Sequence, residues 1–202
     1  MYFKSDQIDP VACYQLLVGA IVPRPIAWVS TKSASGIANL APYSFFSVAS
    51  CNPPVLSATQ VLPRDLQDKD TLRNLRETGE CVVNVVDYET VEQMNASCAN
   101  YPANVDEFAA VGIETTASER VNIAGVATAK VRYECKLREI VTISDQPMGG
   151  SMMLLDVVGI YVDDQYVKGT KINSVALNAV GKMGGDDYTK TTETFALSRP
   201  VV

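Results

Sequence analysis

Ser30, Thr31, Ser44 and Ser47 stand beside Asn39 and Tyr43 in two apolar runs, residues 22–31 and 39–46, joined by a polar turn. Hydroxyls, an amide and backbone groups set among aromatic and aliphatic walls suit a flat ligand with a polar edge, such as an isoalloxazine ring. The same residue types also build ordinary turns, and composition alone divides these readings evenly. A second candidate lies at Lys69-Asp70-Thr71, at a predicted helix start. There, free backbone N–H groups, the helix dipole, an ammonium and a hydroxyl can converge on a phosphate. The plainer alternative is that Asp70 caps the helix and Lys69 is solvated. Arg24 reaches a phosphate or orders the turn before the first strand, and Trp28 is a weaker candidate because a strand tryptophan is usually core.

The chain contains no histidine. That removes Ser-His and Cys-His dyads, histidine general bases and histidine-dependent metal sites, so no metal site is expected. Neither G-x-G-x-x-G after a strand nor a P-loop occurs, so a nucleotide must be held by other means. The five cysteines, Cys13, Cys51, Cys81, Cys98 and Cys135, are spread singly with no C-x-x-C pair, a pattern of reduced thiols. Chemistry is therefore expected from a bound cofactor, with no catalytic side chain assigned. A net charge of −6 disfavours nucleic acid as a partner. No apolar run is long enough to cross a membrane and no secretory leader is visible, so a cytoplasmic location is expected.

The elements that must position these residues read as mainly β with short helices. Residues 9–17 form a helix capped by Asp9 with Pro10 at its first turn, turning Leu16 and Leu17 inward. Strands are expected over 26–30, 37–40 and 55–60, with a break at Asn52-Pro53-Pro54. A helix over 66–79, capped by Asp68 or Asp70 and stopped at Gly79, precedes a buried strand over 81–86. Residues 88–99 and 106–112 read as helices. Residues 127–137 alternate strictly between apolar and polar, as in a half-buried antiparallel strand, and 152–162 supply another. Six or seven strands with two or three helices fit a closed or split barrel. The expected organisation is one domain over 1–202, with a helical insertion at about 87–113 and a C-terminal extension at about 171–202 that wraps a partner surface.

The blocks PRPIAWVST (23–31), NLAPYSFF (39–46), PP (53–54), KDTLRNLRETGECVVNVV (69–86), DEFAAVGI (106–113), YECKL (133–137), GKMGGDDY (181–188) and SRP (198–200) follow one another along nearly the whole chain. In this order they resemble the flavin reductase-like, FMN-binding split-barrel family, which includes flavoredoxins and the reductase components of two-component monooxygenases. The resemblance implies a six-stranded Greek-key split barrel and a homodimer with FMN near the subunit interface. It implies a flavin site lined by Ser30, Thr31, Asn39, Ala41, Ser44 and Ser47, with Lys69 and Thr71 on the phosphate side. It further implies hydride transfer from NADH or NADPH to flavin and onward delivery to a flavin or another electron acceptor. In that reading, backbone N–H groups near 39–41 and Lys182 stabilise the reduced ring. The alternative is a flavoredoxin-like electron carrier or a non-catalytic FMN-binding protein. Three departures stand out. Asp68 occupies a position where many relatives have histidine, Lys182 falls in a block where they have arginine, and Leu155 stands where a small residue is common.

Overall fold

The computed structural model describes residues 1–63 and 69–201; Asp68, expected as a helix cap and as a departure from the family pattern, lies outside them. The elements run α1 (Pro10–Ala20), β1 (Ala27–Lys32), β2 (Ala38–Tyr43), β3 (Phe46–Cys51), β4 (Pro54–Val61), α2 (Asp70–Thr78), β5 (Glu80–Val85), α3 (Val91–Ala96) and α4 (Glu107–Val111). Short strands β6 (Thr115–Thr116) and β7 (Gly125–Val126) precede the long strands β8 (Val131–Thr142) and β9 (Gly150–Val162). A 3-10 turn at Asp164–Tyr166 then leads to β10 (Val167–Lys168), β11 (Lys171–Ile172), α5 (Ser174–Leu177), β12 (Val180–Lys182) and β13 (Tyr188–Lys190).

Seven strands form one antiparallel sheet in the order β2-β1-β5-β8-β9-β4-β3. Its two outermost strands, β2 and β3, are joined through Ser44 and Phe45 alone. So short a link forces the sheet to curl until its edges meet, and the Thr59 N–H, donating to the Phe45 carbonyl at 2.8 Å, pins the corner. The interior of the curl holds Ala27, Val29, Leu56, Ala58, Cys81, Val83, Cys135, Met153 and Leu155. α2 plugs it with Leu72 and Leu75. Leu155 is fully buried within this core.

Strand alternation sends Trp28 and Leu40 to the opposite face, where they pack with Met94 of α3 and Phe108 of α4 in a second apolar cluster. β1 is therefore buried on both faces, as its near-continuous apolar run requires. α2 ends at Gly79, whose φ of 72° meets the left-handed stop expected there. Asp9 and Asp106 accept from first-turn N–H groups of α1 and α4.

Several elements differ from the sequence reading. Leu16 and Leu17 are solvent-exposed, and Val18 is the residue of α1 that turns inward, because the helix lies on the surface with apolar residues all around it. Asp70 is the first residue of α2 rather than its cap; Lys69 occupies the cap position with an extended backbone. The helix expected over 88–99 is confined to α3, because Asp87 and Thr90 hold residues 87–90 in a side-chain-bonded turn. β8 starts four residues after the alternating pattern does, since the Ala129 N–H turns back to the Val126 carbonyl. The C-terminal stretch adds two small hairpins, and β12 bridges Arg24.

Candidate functional site: a groove between β2, α2 and the α3–α4 connection

A groove of about 150 Å³ runs along Asn39, Ala41 and Pro42 of β2. One wall is the start of α2, with Lys69, Asp70 and Thr71; the other comprises residues 97–101 and Glu107 at the start of α4. It shares Pro42 and Cys98 with a second hollow of about 160 Å³, which reaches Ile26, Ser44, Lys182 and Tyr188. The groove thus passes from a helix N-terminus, along a strand edge, to a lysine.

At the helix end, no described side chain caps α2. The described backbone bonds of the first turn begin with Leu72 and Arg73, both donating to the Lys69 carbonyl, so the N–H groups of Asp70 and Thr71 have no helical carbonyl to donate to and bond to no described residue. Lys69 is exposed beside them. Asp70, an acid at this end, is paired with Arg73 one turn along the helix.

Thr71 is held by a buried polar network. Asn39 Nδ2 donates to Thr71 Oγ1 at 2.9 Å and to Thr31 Oγ1 at 3.2 Å, and Asn74 Nδ2 donates to Thr31 Oγ1 at 3.1 Å. This network ties β1, β2 and α2 together. With both Asn39 amide hydrogens engaged, its Oδ1 is the polar atom it has left for the groove. The Tyr43 hydroxyl lies buried beside Thr71, and burial pushes its pKa far up.

At the other end, Lys182 Nζ donates to the carbonyls of Gly185 (2.6 Å) and Asp187 (3.3 Å) and sits 4.1 Å from the Tyr188 ring centre. Burial holds its amine below the usual lysine range; Arg24 adds to the depression, while Asp186 and Asp187 oppose it. Cys98 lies between the two lysines. Partial burial raises its thiol pKa, against the pull of Lys69 and Lys182.

Of the residues singled out in the sequence, Asn39, Ala41, Ser44, Lys69, Thr71 and Lys182 line this continuous depression. The others do not. Ser30 is fully buried, and its hydroxyl donates to the Ala124 carbonyl at 2.7 Å. Thr31 is buried beneath the groove as the acceptor for two amides. Ser47 is exposed on β3, on another face of the barrel. Trp28 is core, but its Nε1 donates to Ser97 Oγ at 2.9 Å and so braces the groove wall from below.

Arg24 is buried and its guanidinium donates to the carbonyls of Val18, Ile21 and Met183, with a longer contact of 3.4 Å to Ser44 Oγ. It orders the segment before β1 and is not free for phosphate. The backbone donors expected near 39–41 are also partly engaged: the Leu40 N–H donates to Glu107 Oε2 at 3.2 Å, and Pro42 has no N–H.

Sequence reasoning missed the 97–101 wall and Glu107, having assigned both stretches to helical insertion. Glu107 did fall within the DEFAAVGI block, but nothing in the sequence showed which way its carboxylate turns. Among the described residues no cluster of three potential ligands could hold a metal ion, and no helix is long and apolar enough to cross a membrane.

Residues 18–174 match the family described as flavin reductase like domain, and the chain belongs to that family. An uncharacterized protein of Halalkalibacterium halodurans is 36% identical over 206 residues, covering 100% of this chain and 98% of its own length. Among solved structures, nitrilotriacetate monooxygenase component B from Bacillus cereus superposes with a TM-score of 0.93 at 31% identity, covering 98% of each chain. A flavin reductase-type protein with a split barrel domain from Shewanella frigidimarina, at 21% identity, shares the fold with a TM-score of 0.85 over 99% of this chain and 100% of its own. The curled seven-stranded sheet is thus a split barrel.

Proposed function

We propose that the protein is an FMN-dependent oxidoreductase of the NAD(P)H:flavin reductase type, acting as one domain over its whole length. The observation that carries this reading is the continuity of the groove from the open first turn of α2 to Lys182. Residues of three kinds follow one another in the order that a phosphorylated flavin presents its parts. The phosphate would lie against Lys69 and the Asp70 and Thr71 N–H groups, with Thr71 kept in place by Asn39. The polyol chain would pass the Asn39 carbonyl oxygen. The ring would lie along Ala41 and Pro42 toward Ser44 and Lys182.

The donor set fits FMN because it offers one anion cradle, with the acid Asp70 there paired to Arg73, and then a run of polar and apolar groups toward Ser44. Bound flavin supplies the capacity to accept a hydride from a nicotinamide; the chain's own work is positioning and electrostatics. Lys182, with an amine preorganised by two carbonyls, places positive charge at the ring end. Trp28, Ser97 and Arg24 hold the walls in register and keep water from beneath them.

A homodimer accords with the surface of α1. Tyr14, Leu16, Leu17 and Ile21 are all exposed, and a further apolar hollow runs from Leu17 and Ile21 to Phe45 and Phe46. This surface adjoins Ser44, so a second copy seated there would border the ring end of the groove.

The test is an anaerobic visible spectrum of the FMN-loaded protein before and after NADH, then NADPH. Rapid bleaching of the flavin band is expected. Colour that only dithionite removes would overturn nicotinamide oxidation in favour of an electron carrier, and failure to retain any flavin would overturn the cofactor assignment.

A further inference from the structure

Glu107 is an acid in an unexpected place. It is 6% exposed, lines the groove with Lys69, Asp70 and Thr71, and has one carboxylate oxygen on the Leu40 N–H. No ion pair among the described residues compensates it, whereas Asp70 has Arg73. The charged groups around it come from two elements: Asp106 on its own helix, and Asp70 with Lys69 at the start of α2. From β2 it meets Asn39, Leu40 and the buried phenol of Tyr43, and the α3–α4 connection adds Cys98 and Tyr101 to the same groove. Burial raises its pKa above the ordinary glutamate value, its hydrogen bond from Leu40 opposes the rise, and Asp70 and Asp106 add to it.

Resting on the FMN reading above, we propose that Glu107 makes binding of a phosphate-bearing flavin proton-coupled, so that the phosphate group and one proton are taken up together. A phosphate dianion at the first turn of α2 and an ionised Glu107 are like charges across one groove, and each disfavours the other. By linkage, the ligand that disfavours the carboxylate raises its affinity for a proton, and protonation raises affinity for the ligand by the same factor. Affinity for FMN therefore rises as pH falls through the range in which Glu107 takes its proton, and is flat well above it. Riboflavin has the same ring and polyol but no phosphate, and its affinity carries no such dependence. Glu107 thereby determines which charge state of ligand the groove accepts, while its other oxygen continues to hold β2.

The experiment is isothermal titration of the full-length apo-protein at pH 7.0 with FMN and with riboflavin, each in two buffers of different ionisation enthalpy. Proton uptake is expected with FMN and not with riboflavin. Glu107→Gln, whose amide oxygen can still accept from Leu40, should abolish the uptake and bind FMN about fivefold or more tightly than wild type at pH 8, with riboflavin unchanged. Binding of both flavins without a difference in proton uptake, or uptake that persists in the variant, would overturn the proposal. Should the variant fail to fold, the wild-type comparison is made at pH 8, where the phosphate's own second ionisation, about 6, is complete; uptake with FMN and not with riboflavin is expected there too, and its absence would overturn the proposal. Binding of neither flavin would instead overturn the FMN reading, and this proposal with it.

Discussion

Lys69 and Thr71 contribute to the groove in different ways, and their substitutions should differ accordingly. Lys69 is exposed and holds no structural contact among the described residues, so Lys69→Ala should leave folding intact. It should weaken FMN binding by a charge-assisted contact, about 1.5–3 kcal/mol, or roughly ten- to a hundredfold in Kd by fluorescence titration. Unchanged affinity would return the α2 start to a purely structural role. Trp28→Phe keeps the buried ring but removes the Nε1 bond to Ser97, leaving that hydroxyl bonded to Met94 alone. A loss of about 1 kcal/mol of unfolding free energy is expected in urea denaturation. Looser flavin retention should accompany it, since Ser97 is part of the wall.

Among the elements, β12 shows how a distant strand positions the ring end of the groove. Arg24 and Lys182 exchange backbone hydrogen bonds of 2.9 and 2.8 Å, which fixes the C-terminal hairpin against the segment before β1. Gly181 permits that approach: a Cβ there would stand 2.6 Å from Pro23 Cβ. Gly181→Ala must therefore push the two segments apart, at a cost of about 1–3 kcal/mol measured as a lower denaturation midpoint. It should also displace Lys182 and slow reduction of bound FMN by NAD(P)H in stopped-flow measurements. A variant indistinguishable from wild type in both readouts would show that Lys182 needs no such support.

For the whole molecule, closure of the sheet and exposure of α1 raise the question of assembly. The two-residue link between β2 and β3 closes one molecule's barrel, yet α1 leaves Leu17 and Ile21 more than half exposed. Leu17→Asp places a charge in this apolar face without touching the core. Sedimentation velocity is expected to show a dimer for wild type and a monomer, or a strongly concentration-dependent mixture, for the variant. A monomeric wild type would remove the interface reading while leaving the groove of a single chain as described.

Local physics made much of this fold legible in the sequence. Gly79 and Gly112 mark helix ends because a left-handed residue is wanted there, Asp9 caps because its carboxylate accepts from free N–H groups, and the barrel strands show their two-residue period. The groove was legible in part: Asn39, Ala41, Ser44, Lys69, Thr71 and Lys182 come together. Ser30 and Thr31 on β1 and Ser47 on β3 carry the same kinds of side chain on strands beside them. They part from the groove because alternation and sheet curvature, which residue type does not encode, aim their hydroxyls into the core or out to another face. Leu16 and Leu17 mark the same limit, since an apolar helix face has no buried side until something covers it. The sequence by itself determined most of the helices and strands and the family, which depend on neighbours along the chain, and the absence of histidine chemistry, which depends on composition alone. Only the tertiary structure decided that Glu107 meets Leu40 and that Arg24 is drawn to the Met183 carbonyl, because those contacts join residues far apart in sequence through the packing of the barrel.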